Sequence, residues 1–353
     1  DWQLALGDEP LMPEEFEKLA ALKVPLVQIR GQWVELHPDQ IEQAIKFWEK
    51  RKKSGEVSLQ EALQLTLTQD AGATSGLRVT EVVADGWLND LMKSLTNGAQ
   101  LRPVPVPSDF HGELRHYQAA GLAWLAFLRQ WGLGACLADD MGLGKTIQII
   151  ALLLHARSTQ VDHKPALLIC PTSVVGNWQR ELTRFAPDLR VLVYHGAGRK
   201  AIDLKTQALD HDVALSSYAL LHRDEKVLTA IDWREVILDE AQNIKNPGAK
   251  QAQAARRLKA GWHVALTGTP VENRLMELWS IFQFLNPGYL GSQSDFLDRL
   301  ARPIERAGDE AATRRLKSLV GPFILRRVKT DPAVISDLPD KNEMKVYCSL
   351  TKE

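Results

Sequence analysis

The chain has 353 residues, 45% of them hydrophobic, and its 43 Lys and Arg against 44 Asp and Glu leave a formal net charge of -1. At about 100 to 200 residues per domain this length builds two cores, or one core with a sizeable appendage. The charge balance excludes a basic global field, so any nucleic-acid surface must be a local patch.

Residues 1 to about 100 read as a small accessory domain without glycine-rich chemistry. Val24 to Ile29 and Gln32 to Leu36 form a hairpin pattern around Arg30-Gly31, a helix pattern follows from Pro38 to Lys53, and a second helical tract runs from Gly86 to Leu95. Leu101 to Ser108 repeats proline at 103, 105 and 107, which blocks helix and predicts an extended linker. From 110 to 285 short apolar strands alternate with helical patterns. The predicted strands are Ala135 to Ala138, Ala166 to Cys170, Leu189 to Tyr194, Val213 to Ser216, Glu235 to Leu238 and His263 to Leu266. Such alternation implies an α/β fold, a parallel sheet with helices on both faces, whose functional residues lie at the carboxyl ends of the strands. After Asn286-Pro287-Gly288 the pattern turns helical and charged as far as Val346. The expected units are therefore 1–107, 108–286 and 287–353.

The most informative segment is Asp139-Asp140-Met141-Gly142-Leu143-Gly144-Lys145-Thr146, between an apolar strand pattern and an apolar helix pattern. Strand, glycine-hinged loop, Lys-Thr and helix in that order make a phosphate cradle. Backbone N–H groups of Asp140 to Thr146 and the helix N-terminus face the anion, Lys145 adds a point charge, and the Thr146 hydroxyl can hold Mg2+. The strict GxxxxGK[ST] form is not met, because Asp139 stands where glycine is usual. About a hundred residues on, Asp239-Glu240-Ala241-Gln242 follows the strand Val236-Ile237-Leu238. Adjacent carboxylates there suit a triphosphatase: Asp239 binds Mg2+ through water, and Glu240 orients or deprotonates the attacking water. A third strand end carries Thr267-Gly268-Thr269-Pro270, by itself an ordinary turn; beside the carboxylates its hydroxyls, Thr269 among them, can sense the outer phosphate. Gln118, in Leu114-Arg115-His116-Tyr117-Gln118 ahead of a helix from Ala119 to Leu128, is the candidate adenine reader, since an amide forms paired hydrogen bonds to that edge. The predicted cofactors are ATP and Mg2+.

These motifs resemble the Swi/Snf-type ATPases, a branch of the superfamily-two helicases that translocate on double-stranded DNA. The resemblance covers roughly 110 to 350. It is carried by LRHYQ (114–118), LADDMGLGKT (137–146), CPTSVVGNWQREL (170–182), YHG (194–196), SSY (216–218), LDEAQNIKNP (238–247), LTGTPVENRLMELWSIFQFLNPGYLG (266–291), FILRRVKTD (323–331) and LPDK (338–341). The long continuation after the TGTP turn looks like the bacterial and archaeal members. Many relatives read DEGH or DEAH where this chain has Gln242, which puts the coupling role of that position in question. The resemblance implies an accessory domain and a first RecA-like lobe, with 287–340 as helical protrusion and connector to a second lobe that supplies arginine fingers. A chain ending at Glu353 is then expected to bind Mg-ATP with little turnover, because absent arginine fingers cost roughly 10^3 to 10^5 in rate. The implied partners are double-stranded DNA and a protein displaced from it or bound on it. The resemblance places phosphate contacts at Thr172, Ser173, Ser217 and Tyr218, where hydroxyls and backbone N–H groups meet the strand without reading sequence.

Separately, Arg314, Arg315, Lys317, Arg326, Arg327 and Lys329 make a basic run that reads equally as a solvated helix face or as a duplex-binding patch. Cys136, Cys170 and Cys348 have no CxxC spacing, against a disulfide framework and a zinc site, and the nine histidines show no HExxH. No apolar stretch reaches the roughly 20 residues of a membrane span, and Asp1-Trp2-Gln3 has no signal-peptide character. The expected setting is cytoplasmic, at the nucleoid, for a fragment of a longer protein. Trp48, Trp87, Trp124, Trp131, Trp262 and Trp279 read as core, with Trp178 as the exception. A superfamily-two RNA helicase and a docking module that never hydrolyses ATP are the rival readings; the ENRLMELW continuation opposes the first, and the intact Lys145, Asp239 and Glu240 oppose the second.

Overall fold

Along the strands of the central sheet alternate apolar residues sort into two cores, one on either face. The computed structural model describes residues 4–6, 9–11, 26–29, 32–35, 58–68, 86–96, 101–159, 163–270, 273–331 and 334. In chain order the first strands are β1 (Leu4–Leu6), β2 (Glu9–Leu11), β3 (Leu26–Ile29) and β4 (Gln32–Glu35), followed by helices α1 (Leu59–Thr68), α2 (Trp87–Thr96) and α3 (His116–Gln130). Next come β5 (Ala135–Leu137), α4 (Lys145–Thr159), β6 (Ala166–Cys170), α5 (Val175–Phe185), β7 (Val191–Val193), α6 (Leu204–Leu209), β8 (Val213–Ser217), α7 (Tyr218–Arg223) and α8 (Glu225–Leu228). The remainder is β9 (Asp232–Leu238), α9 (Lys250–Arg257), β10 (Lys259–Leu266), α10 (Leu275–Leu285), α11 (Gln293–Phe296), α12 (Arg302–Ala307), α13 (Glu310–Val320) and β11 (Ile324–Leu325).

Seven strands form one parallel sheet in the order β11-β5-β10-β9-β6-β8-β7. Leu137, Leu168, Cys170, Leu215, Ile237, Val264 and Leu266 face one core. Cys136, Ala138, Leu167, Ile169, Ala214, Val236, Leu238 and Ala265 face the other. This is the two-residue period of a strand buried on both faces, which explains why the strands read as continuous apolar runs. Helix α4 is apolar around its circumference, with Ile149 to Leu154 fully buried, because it is enclosed by the sheet, α3 and α5. Burial of a Leu or Ile side chain contributes about 1.5 to 3 kcal/mol, so this helix anchors the glycine loop at its N-terminus.

All six predicted strands of the sheet form, but β9 and β10 begin earlier than expected, at Asp232 and Lys259. They open on exposed Asp232 and Lys259, and Arg234 and Gly261 interrupt the apolar pattern behind them. The hairpin closes as Ile29 opposite Gln32 around 30–31, and the second helical tract is α2. The Pro38–Lys53 helix and Trp48 within it lie outside the described residues. β1–β2 and β11 were not predicted; β11 pairs with β5 through only two residues, too short for any periodicity.

The expected boundaries at 107 and 286 are both bridged by shared core. Leu63 of α1 and Leu91 and Met92 of α2 join the same apolar cluster as the strands, as do Phe296, Leu316, Leu319 and Phe323. Helix α1 packs on α13, and Gln64 Nε2 donates to the Tyr289 carbonyl. Asn286, at the end of α10, accepts from Gly134 N at 2.8 Å and donates to its carbonyl at 3.2 Å. A Cβ at Gly134 would lie 2.3 Å from the Leu285 carbonyl oxygen, so only glycine allows this approach. Trp87 departs from the core reading: it is 58% exposed and stacks on Trp131 at 5.3 Å. Among the described residues no helix is long and apolar enough to cross a membrane.

Candidate active site

Because the strands are parallel, the ends of β5, β6, β8, β9 and β10 bring five loops to one edge of the sheet. The loop after β5 turns twice through left-handed backbone, at Gly142 (φ 86°) and Gly144 (φ 80°). A Cβ at Gly144 would sit 2.4 Å from Gln118 Nε2 and 2.9 Å from Ile147 Cγ2, so the turn excludes a side chain on geometric as well as conformational grounds. Lys145 opens α4, whose first-turn N–H groups have no intrahelical acceptors and carry the positive end of the helix dipole. Thr146 lies half-buried in that turn, Met141 is 77% exposed at the tip, and Leu143 is buried against Tyr117 and Val334. Asp140 accepts from Lys329 N at 3.1 Å. The Lys145 ammonium donates to the Asp139 carbonyl at 2.7 Å. These residues fit a polyphosphate chain: backbone donors, the Lys145 ammonium, and glycines at 142 and 144 that add no side chain of their own to the loop.

The carboxylates stand across from this loop at the end of β9. Asp239 Oδ2 accepts from Trp178 Nε1 at 2.7 Å, and Oδ1 accepts from Glu240 N at 3.0 Å. Burial pushes the Asp239 carboxyl above its ordinary range; the Trp178 bond opposes this, the Glu240 charge adds to it, and the Lys145 ammonium lowers it. A buried carboxylate beside a second carboxylate is a site that a divalent cation would relieve. Mg2+ would be held by Asp239 and the Thr146 hydroxyl together with phosphate and water oxygens, in the usual manner for this ion. Glu240 has φ 52° and is the lone non-glycine residue in the left-handed region among the described residues. Tyr218 supports the strained turn by donating to the Asp239 carbonyl at 2.9 Å.

Gln242 links this turn to the next strand end. Its Nε2 donates to Glu240 Oε2 at 2.8 Å, its Oε1 accepts from Thr267 Oγ1 at 3.0 Å, and Thr267 Oγ1 accepts from Thr269 N at 3.1 Å. An unbroken hydrogen-bond chain therefore runs from the candidate water-orienting carboxylate to the TGTP turn. A glutamine serves here because its amide donates at one end and accepts at the other.

Several candidate residues occupy places other than those expected. Gln118 lies inside the first turn of α3 and not ahead of the helix: its Oε1 accepts from Arg115 N at 2.9 Å and its Nε2 donates to the Leu143 carbonyl at 3.1 Å. Its amide thus pins the phosphate loop, leaving only part of its capacity for a base. Ser217 and Tyr218 are buried, so in this arrangement their side chains do not reach a nucleic-acid backbone, whereas Thr172 and Ser173 are exposed. Arg327 leaves the exposed basic run entirely. Its guanidinium meets Asp139, fully buried, at 2.5 Å (Nη2 to Oδ2) and 2.9 Å (Nε to Oδ1), while Arg326 remains exposed. Arg314 pairs with Glu310 one turn away, an acid that the reading of the run left out. Trp178, set apart from the core tryptophans, is itself in the core and reaches the site through its indole N–H, while Asp139 and Gln148 were missed as site residues. Asp139 had a signal, as the acid standing where the phosphate-loop pattern has glycine; Gln148, on the apolar α4, had none. A cavity of about 760 Å³ lined by Leu91, Arg102, Phe127, Arg129 and Trp131 holds none of these groups.

The SNF2-related domain family matches residues 117–353, and a family described as SNF2 Helicase protein matches residues 1–67. Over 362 aligned residues the chain is 45% identical to YwqA of Bacillus subtilis, named as an ATP-dependent helicase/translocase, covering all of this chain and 39% of that protein. It is 37% identical to the TATA-binding protein-associated factor MOT1 of Saccharomyces cerevisiae over 74% of this chain and 15% of that protein. The chain thus spans well under half the length of these curated relatives. The SWI2/SNF2 ATPase core of Sulfolobus solfataricus, solved in complex with dsDNA, superposes with a TM-score of 0.63 at 47% identity, covering 71% of this chain and 52% of that one. The same core solved as the ATPase core domain gives 0.62. The fold is the expected RecA-like α/β arrangement, and the chain belongs to the SNF2-related family.

Proposed function

We propose that the protein containing this chain is an ATP-driven translocase on double-stranded DNA, with residues 117–331 supplying most of the first-lobe half of the Mg-ATP site. The observation that carries the reading is the convergence at one sheet edge of Lys145, Thr146, Asp239 and Glu240, with Lys145 near enough to act on the Asp239 carboxyl. In this scheme Lys145 leaves the Asp139 carbonyl for the outer phosphates, and the N–H groups of the glycine loop hold the phosphate chain. Bound Mg2+ would supply the positive charge that offsets the developing negative charge on the phosphates. Asp239 orients that charge, and Glu240 orients the attacking water and takes its proton. Gln242 and Thr267 pass the position of Glu240 to the TGTP turn, so that loss of the outer phosphate is felt at a neighbouring surface.

The duplex assignment is supported by the dsDNA complex of the Sulfolobus core and by exposed Thr172 and Ser173 at the end of β6. Contacts of this kind would meet phosphates and not base edges, giving strong salt dependence and little sequence preference. A protein held on DNA is a fitting target, and the cytoplasmic nucleoid a fitting setting.

The test is ATP hydrolysis by the full-length gene product with long duplex DNA, single-stranded DNA or RNA, with Lys145→Ala as the blank. Stimulation chiefly by duplex is expected. Stimulation by RNA alone would favour an RNA helicase, and none by any nucleic acid would favour a docking module.

A further inference from the structure

The short strand β11 continues past the sheet edge and runs along the entrance of the phosphate loop. Ala138 N donates to the Leu325 carbonyl at 2.7 Å, Asp140 N donates to the Arg327 carbonyl at 3.0 Å, and Lys329 N donates to Asp140 Oδ2 at 3.1 Å. Residues 325–329 are thus bonded alternately to 138–140. The Lys329 side chain also lies over the loop, since a Cβ at Gly142 would meet its Nζ at 2.9 Å.

Between those backbone bonds the Arg327 guanidinium turns inward. It reaches both oxygens of Asp139, donates to Gln148 Oε1 at 2.8 Å and to the Tyr117 carbonyl, and lies over the Tyr117 ring at 5.2 Å. Four of its five N–H groups have acceptors inside the lobe. Room for it is made by Gly121, where a Cβ would come within 2.8 Å of Arg327 Nη2 and 2.0 Å of Gln148 Oε1. Asp139 faces two ways: its carboxylate is gripped by Arg327, and its carbonyl accepts the Lys145 ammonium at 2.7 Å. The place from which Lys145 departs toward a phosphate is therefore set by a residue 188 positions beyond Asp139, on the segment leaving the lobe.

We propose that Arg327 is a positioning residue for ATP hydrolysis, fastening the connector segment to the phosphate loop so that displacement of the connector reaches Lys145 through Asp139. The proposal rests on the reading of 138–146 as an ATP loop. Coupling of this kind is reciprocal, so nucleotide binding also holds the connector in place. Lysine cannot replace the guanidinium, because a single ammonium lacks the planar fork that grips both carboxylate oxygens.

The test uses the full-length gene product and its Arg327→Lys variant, with binding of a fluorescent ATP analogue without DNA, kcat and KM at saturating duplex, thermal melting, and duplex affinity against salt. The expected result is a variant folded at the assay temperature with kcat/KM lower by roughly 10^2, the loss that a misplacement of about 1 Å brings, and an unchanged salt slope of duplex affinity. Unchanged kcat/KM overturns the proposal. So does a salt slope smaller by about one with ATP parameters intact, which would make Arg327 a phosphate contact on DNA. If Arg327→Lys melts below the assay temperature, the Arg327→Gln/Asp139→Asn pair removes both charges together. Recovered melting with kcat/KM still depressed supports positioning, and recovery of both overturns it. Lys145→Ala separates the two readings: analogue binding unaffected in that variant sinks the ATP-loop reading itself, whatever Arg327 does.

Discussion

Trp178→Phe isolates one hydrogen bond at the candidate metal site. The indole is 1% exposed and its Nε1 lies 2.7 Å from Asp239 Oδ2, so phenylalanine keeps most of the packing and removes the donor. A hydrogen bond to a charged group contributes about 1.5 to 3 kcal/mol, which is roughly a 10- to 150-fold effect on any step that needs the ionised carboxylate in place. The carboxyl already sits above its ordinary range, chiefly through burial, and the Trp178 bond is among the influences holding it down. Loss of that bond moves it further up. At fixed ATP, the Mg2+ concentration giving half-maximal hydrolysis should therefore rise by about 10-fold or more, and the acid limb of the pH–rate profile should move to higher pH. The assay is an Mg2+ titration of steady-state hydrolysis by the full-length protein at several pH values. An unchanged Mg2+ midpoint together with an unmoved acid limb would refute the assignment of Asp239 as the metal-orienting carboxylate.

Asp239→Asn should separate stability from function: a carboxyl whose value is raised on folding favours the protonated form, so its ionisation costs stability as pH rises through the raised range. Ligand-free Asp239→Asn is then more stable than wild type at neutral pH, gains nothing in acid, and loses the stabilisation by Mg-ATP, as urea unfolding with and without nucleotide will show. Gln242→Ala breaks the link between Glu240 and Thr267, and should leave nucleotide affinity within a few-fold while lowering kcat roughly 10- to 100-fold, part of the general-base contribution; equal loss of affinity and kcat would contradict the relay. Gly144→Ala forces a Cβ against Gln118 at φ 80°, costing about 1 to 2 kcal/mol for the backbone alone, so ATP affinity should fall by more than about 10-fold in equilibrium titration. Arg327→Ala leaves Asp139 buried without its partner and should cost about 3 to 5 kcal/mol in urea unfolding; a loss below about 1 kcal/mol would show the site to be wetter than the packing implies.

What the sequence revealed and what it hid follow from the reach of each interaction. The glycine loop between β5 and α4 and the carboxylate turn after β9 were legible because strand, turn and helix determine one another over about a dozen residues or fewer, as at 135–146 and 236–242. Gln242 as a bridge to Thr267 was not, since it depends on β9 and β10 lying side by side. Arg327 read as part of a basic run because Arg326 and Lys329 stand beside it, yet the acid it answers is 188 positions away. Trp178 stood out only as an aromatic in a polar helix. Its partner Asp239 is 61 positions on, and only the order of β6 beside β9 brings the two together. The boundaries at 107 and 286 were drawn from proline and composition, which mark where the chain is extended but not where its side chains pack, as Leu63 and Phe323 in one core demonstrate.

The most direct test of duplex translocation is displacement of a third strand from a triplex placed on long double-stranded DNA, measured with the full-length gene product. Displacement should require ATP and Mg2+, proceed without separation of the duplex strands, and be abolished by Lys145→Ala. Hydrolysis stimulated by duplex with no triplex displacement would contradict translocation.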